Sequence, residues 1–296
     1  MKKPAISLKL LSCFMGLMSV APYGAIQAED AMVDAAKVES AASPHQFRYQ
    51  GALMQGGLVK GQVTSGSQII FDGQQIKVGP KGHFVIGFSR DYKAVAQLQI
   101  TYPDGMRNDV SLTVSPRQYD IEKVNGLPPK TVTPPQSWLN RRKAERARVI
   151  KGRSARTDDL FWFWGFKKPA EGRFSGFYGS QRILNGKPRS PHYGLDIANK
   201  TGTDVVAPAS GKVTLAAPDF LLEGGIIIID HGFGVTSTLF HLNSVDVKEG
   251  QFIKKGDKIG TIGATGRASG PHVDWRLNWG NVKLDPGLVI GLNRTK

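Results

Sequence analysis

A mainly β chain is predicted by three features of the sequence. It holds 35 glycines and 17 prolines in 296 residues. Its apolar runs are short and often alternate with polar residues, and turn dipeptides separate them. Hydrophobic residues make up 40% of the chain, enough for packed cores and too many for wholesale disorder. The length fits about two domains, at roughly 150 residues each.

Residues 1–28 read as a secretory signal. Lys2, Lys3 and Lys9 open it, an apolar stretch follows, and Ile26-Gln27-Ala28 offers a cleavage site. Its removal takes three positive charges and no negative one from the formal +15, leaving +12. It also takes Cys13, the single cysteine. The mature chain then has neither a disulfide framework nor a Cys-based zinc site, and suits an oxidising compartment such as the periplasm or cell envelope. Lipoprotein anchoring at Cys13 is disfavoured, because few residues precede Leu10-Leu11-Ser12-Cys13 and Leu11 is bulky. Residues 29–50 are rich in Ala, Ser and acids and read as a flexible leader, with His45 expected in solvent.

Residues 51–127 read as an accessory β domain. Gln68-Ile69-Ile70-Phe71 is followed by Asp72-Gly73, a hairpin signal. Gly79-Pro80-Lys81-Gly82 and Pro103-Asp104-Gly105 mark further turns, and Val110, Leu112 and Val114 alternate with polar residues. This spacing predicts a small antiparallel sandwich. His83 reads as a turn-edge histidine. Residues 128–160 are a linker: Pro128-Pro129 and Pro134-Pro135 precede a helical, basic stretch. Residues 141–156 hold eight Arg or Lys against one Glu. The plain reading is a solvated linker helix. The sharper one is contact with an anionic wall polymer or membrane surface. Nucleic acid is set aside, since no helix-turn-helix or RNA-binding motif accompanies the run. Residues 161–296 turn strand-rich again and read as a second β domain.

Four of the six histidines fall in that second domain: His192, His231, His241 and His272. His192 and Asp196 are four apart in a Gly- and Pro-flanked extended segment, which puts both on one face. From His272 to Leu277, Val273, Trp275 and Leu277 alternate with His272, Asp274 and Arg276. This predicts a strand with one apolar face and one face carrying His and Asp side by side. Each feature has an ordinary reading, the last as a surface ladder of His, Asp and Arg. Together they supply one imidazole and two carboxylates for a divalent metal, with two imidazoles to spare. Nitrogen and oxygen ligands without thiols suit zinc, and three protein ligands leave a position open for water.

Residues 173–286 resemble the lysostaphin/LytM-like zinc metallopeptidases, which cut peptidoglycan. The likeness runs through Phe174-Ser175-Gly176-Phe177-Tyr178-Gly179, His192 with Asp196, and Val206-Ala207-Pro208-Ala209-Ser210-Gly211. It continues in Asp230-His231-Gly232, Leu239-Phe240-His241-Leu242, Lys255-Gly256-Asp257, Gly263-Ala264-Thr265-Gly266 and Gly270-Pro271-His272. The resemblance implies a LytM-like domain with one Zn2+ per chain on His192 and Asp196, and His241 and His272 as catalytic imidazoles. It leaves His231 structural and makes Asp285-Pro286 an anchor. It also implies a groove walled by residues 183–189 and 217–223. The family closes with H-x-H, whose second histidine is the third zinc ligand; here that position is Asp274. Zinc with one His and two Asp is formally neutral rather than +1, which predicts a less acidified water and a higher pH optimum. The implied function is hydrolysis of peptide cross-links or stems of peptidoglycan. The alternative is a catalytically inactive LytM-like protein that binds the wall or activates another wall hydrolase.

Overall fold

The computed structural model describes residues 45–124, 137–184 and 186–292. The signal at 1–28, the leader up to residue 44 and the Pro-rich stretch lie outside the described residues. The first seven strands are β1 (Phe47–Gly51), β2 (Leu58–Val63), β3 (Gln68–Phe71), β4 (Gln74–Ile76), β5 (His83–Gly87), β6 (Val95–Thr101) and β7 (Arg107–Thr113). They form two antiparallel sheets, ordered β1-β2-β5 and β4-β3-β6-β7. Period-two alternation explains the packing. Ala96, Leu98 and Ile100 of β6 are buried while Val95, Gln97 and Gln99 face outward, and Val59, Ile69, Phe84 and Ile86 fill the same core. Asp72 and Gly73 turn the β3–β4 hairpin with φ of 46° and 80°, the left-handed pair that a two-residue hairpin requires.

The expectation of a flexible leader through residue 50 fails at its end. Strand β1 pairs with β2 from Phe47↔Val63 to Gly51↔Val59, so its backbone groups are satisfied in the sheet. His45 is not in solvent either. Its side chain is 6% exposed, its Nε2 lies 2.9 Å from an Asp104 carboxylate oxygen, and its ring sits 4.1 Å from that of Tyr102.

Next come β8 (Ile121–Val124) and helix α1 (Ser137–Arg153). The helix is docked, which corrects the solvated-linker reading. Glu145 and Gly152 are buried, and Val149 packs against Leu215, Ile226, Ile228 and Phe240. The Glu145 carboxylate accepts the Leu221 N–H at 3.0 and 3.1 Å and the Arg141 Nε–H at 2.7 Å. Gly152 lets the helix approach closely: a Cβ there would lie 3.1 Å from the Ile228 side chain. Lys143, Arg146 and Lys151 face outward.

After a short 3-10 turn at Phe161–Trp164 follow β9 (Arg173–Gly176), β10 (Gln181–Leu184), β11 (Lys187–Pro188), β12 (Leu195–Ala198), β13 (Asp204–Val206) and β14 (Gly211–Phe220). Then come β15 (Gly224–Asp230), β16 (Val235–Val245), β17 (Phe252–Ile253), β18 (Lys258–Ile262), β19 (His272–Trp279), β20 (Val282–Leu284) and the single turn α2 (Pro286–Val289). Ten of these strands make one sheet with the central order β17-β14-β15-β16-β19-β12-β9. One face carries the core of Leu195, Ile197, Ile227, Ile229, Leu239, Val273 and Trp275. Helix α1 lies on the other face. A fourth sheet joins β8 to β10 in parallel and β10 to β11, so the accessory segment reaches the C-terminal half. Asp285 ties the halves as well. Its carboxylate caps α2 through the Gly287 N–H at 2.8 Å and meets Arg117 Nη1 at 2.8 Å.

Candidate metal centre and its groove

Strand pairing builds the site. Asp196 of β12 stands opposite Asp274 of β19, and Phe240 of β16 stands opposite Asp274 on the other side. Cross-strand neighbours share a face, so His272, Asp274 and Arg276 point away from the core that holds Val273 and Trp275. His192 enters from the preceding loop, fixed by its backbone N–H on the Ser180 carbonyl at 2.8 Å. One donor atom each of His192, Asp196 and Asp274 lies within 4.8 Å of the others. All five residues singled out from the sequence therefore meet on one face.

This trio fits a divalent cation. His192 Nε2 and Asp196 Oδ1 are buried and 3.2 Å apart, an ion pair with no hydrogen bond to any third group among the described residues. Buried polar atoms are rarely left so unless something else satisfies them. Two glycines clear room for the carboxylates. A Cβ at Gly176 would lie 2.1 Å from Asp196 Oδ2, and one at Gly194 would lie 1.9 Å from Asp274 Oδ1. In the sequence Gly176 stands in the family-like run and Gly194 keeps the His192–Asp196 segment from a helix; neither pattern signals the room they provide. Burial works against protonation of His192, but Asp196 and Asp274 outweigh it and its pKa lies above the ordinary imidazole value.

The two remaining imidazoles are oriented alike. His241 Nδ1 sits 2.9 Å from the Thr265 carbonyl and His272 Nδ1 sits 2.8 Å from the Gly270 carbonyl. A carbonyl only accepts, so each Nδ1 carries the proton and each Nε2 is left as the basic nitrogen. The His272 Nε2 is 4.0 Å from Asp196 Oδ1, and the two rings are 4.8 Å apart. Burial, with His272 alongside, pulls the pKa of His241 below that of a free imidazole.

His241 reaches this position through a bulge. Gly225 pairs with Leu242 and Ile227 with Leu239, so β16 spends one more residue than β15 over this interval. Leu239 and Leu242 both stay in the core while Phe240 packs on the opposite face, and His241 takes the left-handed conformation at φ 64°. A non-glycine residue held there is strained, which is common at functional positions. Nothing in the alternation of residues 235–242 signals it.

Arg276 changes the charge count. Its Nη2–H donates to Asp274 Oδ2 at 2.7 Å and its Nε–H lies 3.0 and 3.2 Å from the two oxygens. Burial would raise the Asp274 pKa, yet Arg276 and His192 hold it below the usual carboxylate range. The sequence-based count of a neutral zinc site left this guanidinium out. With it, the cluster of zinc, His, two Asp and Arg carries +1, as the His-His-Asp set does, and the reason for a raised pH optimum disappears. Nor is this an exposed ladder, since Asp274 is only 2% exposed.

His231 stays out of the site. It is fully buried, with Nδ1 2.7 Å from the Ser210 carbonyl and Nε2 2.8 Å from Ser237 Oγ. The two walls expected from the sequence are the β10–β11 hairpin and the β14–β15 hairpin, whose strand β14 runs on to Phe220.

The sequence profile of peptidase family M23 matches residues 190–286, the stretch that holds all five site residues. The C-terminal part of this chain is a peptidase family M23 domain. A crystal structure from Pseudomonas aeruginosa assigned to peptidase M23 superposes with a TM-score of 0.62 at 27% identity, covering 81% of this chain and 96% of that one. The peptidoglycan DD-endopeptidase ShyB of Vibrio cholerae is 35% identical over 95 residues, 32% of this chain and 22% of its own length. The murein hydrolase activator NlpD of Salmonella typhimurium is 27% identical over 237 residues, 80% of this chain and 56% of its own. The M23 match thus spans only between 17% and 26% of the length of five curated relatives.

Proposed function

We propose that this M23 protein is an exported zinc-dependent endopeptidase that hydrolyses peptide cross-links or stems of bacterial peptidoglycan, acting in the periplasm or cell envelope. The observation that carries the reading is the convergence of His192, Asp196 and Asp274, with donor atoms within 4.8 Å of one another, beside two oriented imidazoles. His192, Asp196 and Asp274 would hold the metal. Zinc in such a site supplies Lewis acidity toward a peptide carbonyl and toward water. The Nε2 atoms of His241 and His272 supply the rest: one accepts the proton of the attacking water, and the pair stabilises the oxyanion that develops on the carbonyl. Their anchored Nδ1 protons keep both rings aimed without reorganisation.

A second reading has its own support. Arg276 already occupies Asp274, and the activator NlpD aligns over most of the chain. On that reading the protein is metal-free and stimulates another wall hydrolase. Incubation with purified sacculi, mass analysis of released muropeptides and metal content decide between them. The expected result is one zinc per chain and muropeptide release that Asp196→Ala abolishes. Zinc-free protein that cuts nothing but accelerates a second hydrolase overturns the enzyme reading.

A further inference from the structure

Beyond the metal trio, the same face of the sheet gathers cations from three elements. Arg276 of β19 stands opposite Thr238 of β16, and the Nε–H of Arg153, at the end of α1, donates to that Thr238 Oγ1 at 3.2 Å. Lys283 of β20 pairs with Asn278, two residues along β19 from Arg276 and therefore on its face. The Lys283 Nζ lies 3.8 Å from the ring centroid of Tyr193, the neighbour of His192. Arg276 gives its charge to Asp274, with its guanidinium 4.7 Å over the Phe240 ring. Among the described residues, no carboxylate makes an ion pair with Arg153 or Lys283.

Asp274, Glu223 and, toward Arg276, Asp196 are the nearby carboxylates, none of them ion-paired with Arg153 or Lys283, and each of these cations is partly desolvated and repels the next. Burial and the nearby Arg276 push the Arg153 pKa down to about 10, with Glu223 and Asp274 as the opposing charges. Lys283 is lowered by burial and by Arg276 and Arg153. The arrangement is costly in the free protein and would be relieved by an anion.

We propose that Arg153 and Lys283, flanking Arg276 on the floor of the groove, form a subsite for a free carboxylate of the peptide substrate beside the scissile bond. This rests on the reading of the groove as a peptidoglycan peptide site. The stem peptides of peptidoglycan bear carboxylates, and a guanidinium grips such a group through two parallel hydrogen bonds. The remaining Nη donors of Arg153 and the ammonium of Lys283 supply the charge. The subsite distinguishes acidic peptides from their amidated counterparts, a discrimination the metal and the imidazoles do not provide.

The test compares a cross-linked muropeptide carrying free carboxylates with the same compound amidated. Calorimetric Kd and, in parallel, KM and kcat are measured on the full chain. The wild type should favour the acid form by about tenfold or more, the usual scale for a charge-assisted hydrogen bond. Arg153→Gln and Lys283→Gln should each erode that preference through Kd and KM while leaving the amidated form unchanged, and Arg153→Lys should keep part of it. Lys283 is exposed and free of ion pairs, so its variant keeps the test open if Arg153→Gln fails to fold. Equal binding of both forms by the wild type, or equal weakening of both in the variants, overturns the subsite. A binding preference without cleavage supports the subsite and overturns the hydrolase reading. Cleavage without preference does the reverse.

Discussion

Replacing Asp274 by Ala removes a candidate metal ligand and strands a cation, and the two effects can be separated. The carboxylate is 2% exposed and holds Arg276 bidentately, while the Arg276 side chain is 30% exposed. Removing one partner of a buried pair costs about 3–5 kcal/mol. The residual exposure of Arg276 and its seat over Phe240 place this case near the lower end, about 3 kcal/mol. At about 2–4 °C per kcal/mol for a chain of this size, Tm in chelator should fall by roughly 6–12 °C. Adding Arg276→Met should recover most of that loss without restoring zinc, because the charge is then gone but the ligand is not replaced. The same logic applies to Asp274→His. It recreates the family's H-x-H but leaves Arg276 beside Arg153, so it should be unstable alone and rescued by Arg276→Gln. Thermal unfolding in chelator, with zinc stoichiometry of the parent, single and double variants, checks the scheme. An Asp274→Ala protein that melts like the parent, or a double variant that recovers nothing, would refute the argument.

Chelation of zinc should abolish muropeptide release while far-ultraviolet circular dichroism stays unchanged, because the donors sit on a sheet whose apolar core does not include them; full hydrolysis by demonstrably zinc-free protein would end the metal mechanism. Burial pushes the His231 imidazole down to about 4 from an ordinary 6.5, so the unfolded chain takes up a proton that the fold refuses. Stability should be complete above pH 6.5 and decline by up to about 3 kcal/mol as the pH falls to 4, a slope that His231→Gln lacks in urea titrations. Neutralising the outward-facing Lys143, Arg146 and Lys151 should weaken retention on sacculi at low ionic strength and matter little at high salt. Equal low-salt retention of both proteins would confine the helix to its docking role.

Periodicity made much of this legible. The alternation in β19 alone places His272 and Asp274 on one face, and the even spacing of His192 and Asp196 places the other pair. What escaped was set by contacts across the sheet. Arg276 reads as one more polar residue on its strand until its reach to Asp274 is seen. Gly176 reads as one residue of a family-like run and Gly194 as a helix breaker, whereas their missing side chains make room for carboxylates. Helix α1 has a weak apolar stripe, and its docking joins Val149 and the close approach at Gly152 to a bond between Glu145 and the Leu221 amide, a partner 76 residues away. His45 lies in a stretch whose composition looks like linker, yet it rests on Tyr102, and no local rule connects the two.

The bulge in β16 has a consequence for how this fold can vary. His241 reaches the groove because the strand contains one surplus residue, not because of what the neighbouring residues are. Exchanging Phe240 for another apolar side chain leaves that surplus intact. Deleting any single residue between Leu239 and Leu242 cancels it and returns the strand to simple alternation. Leu239 and Leu242 then stand two apart and both stay in the core, but the left-handed bulge position that presents the His241 imidazole is gone. Sequence drift around His241 is therefore tolerated through substitution and closed to change in length, the opposite of the latitude that surface loops enjoy.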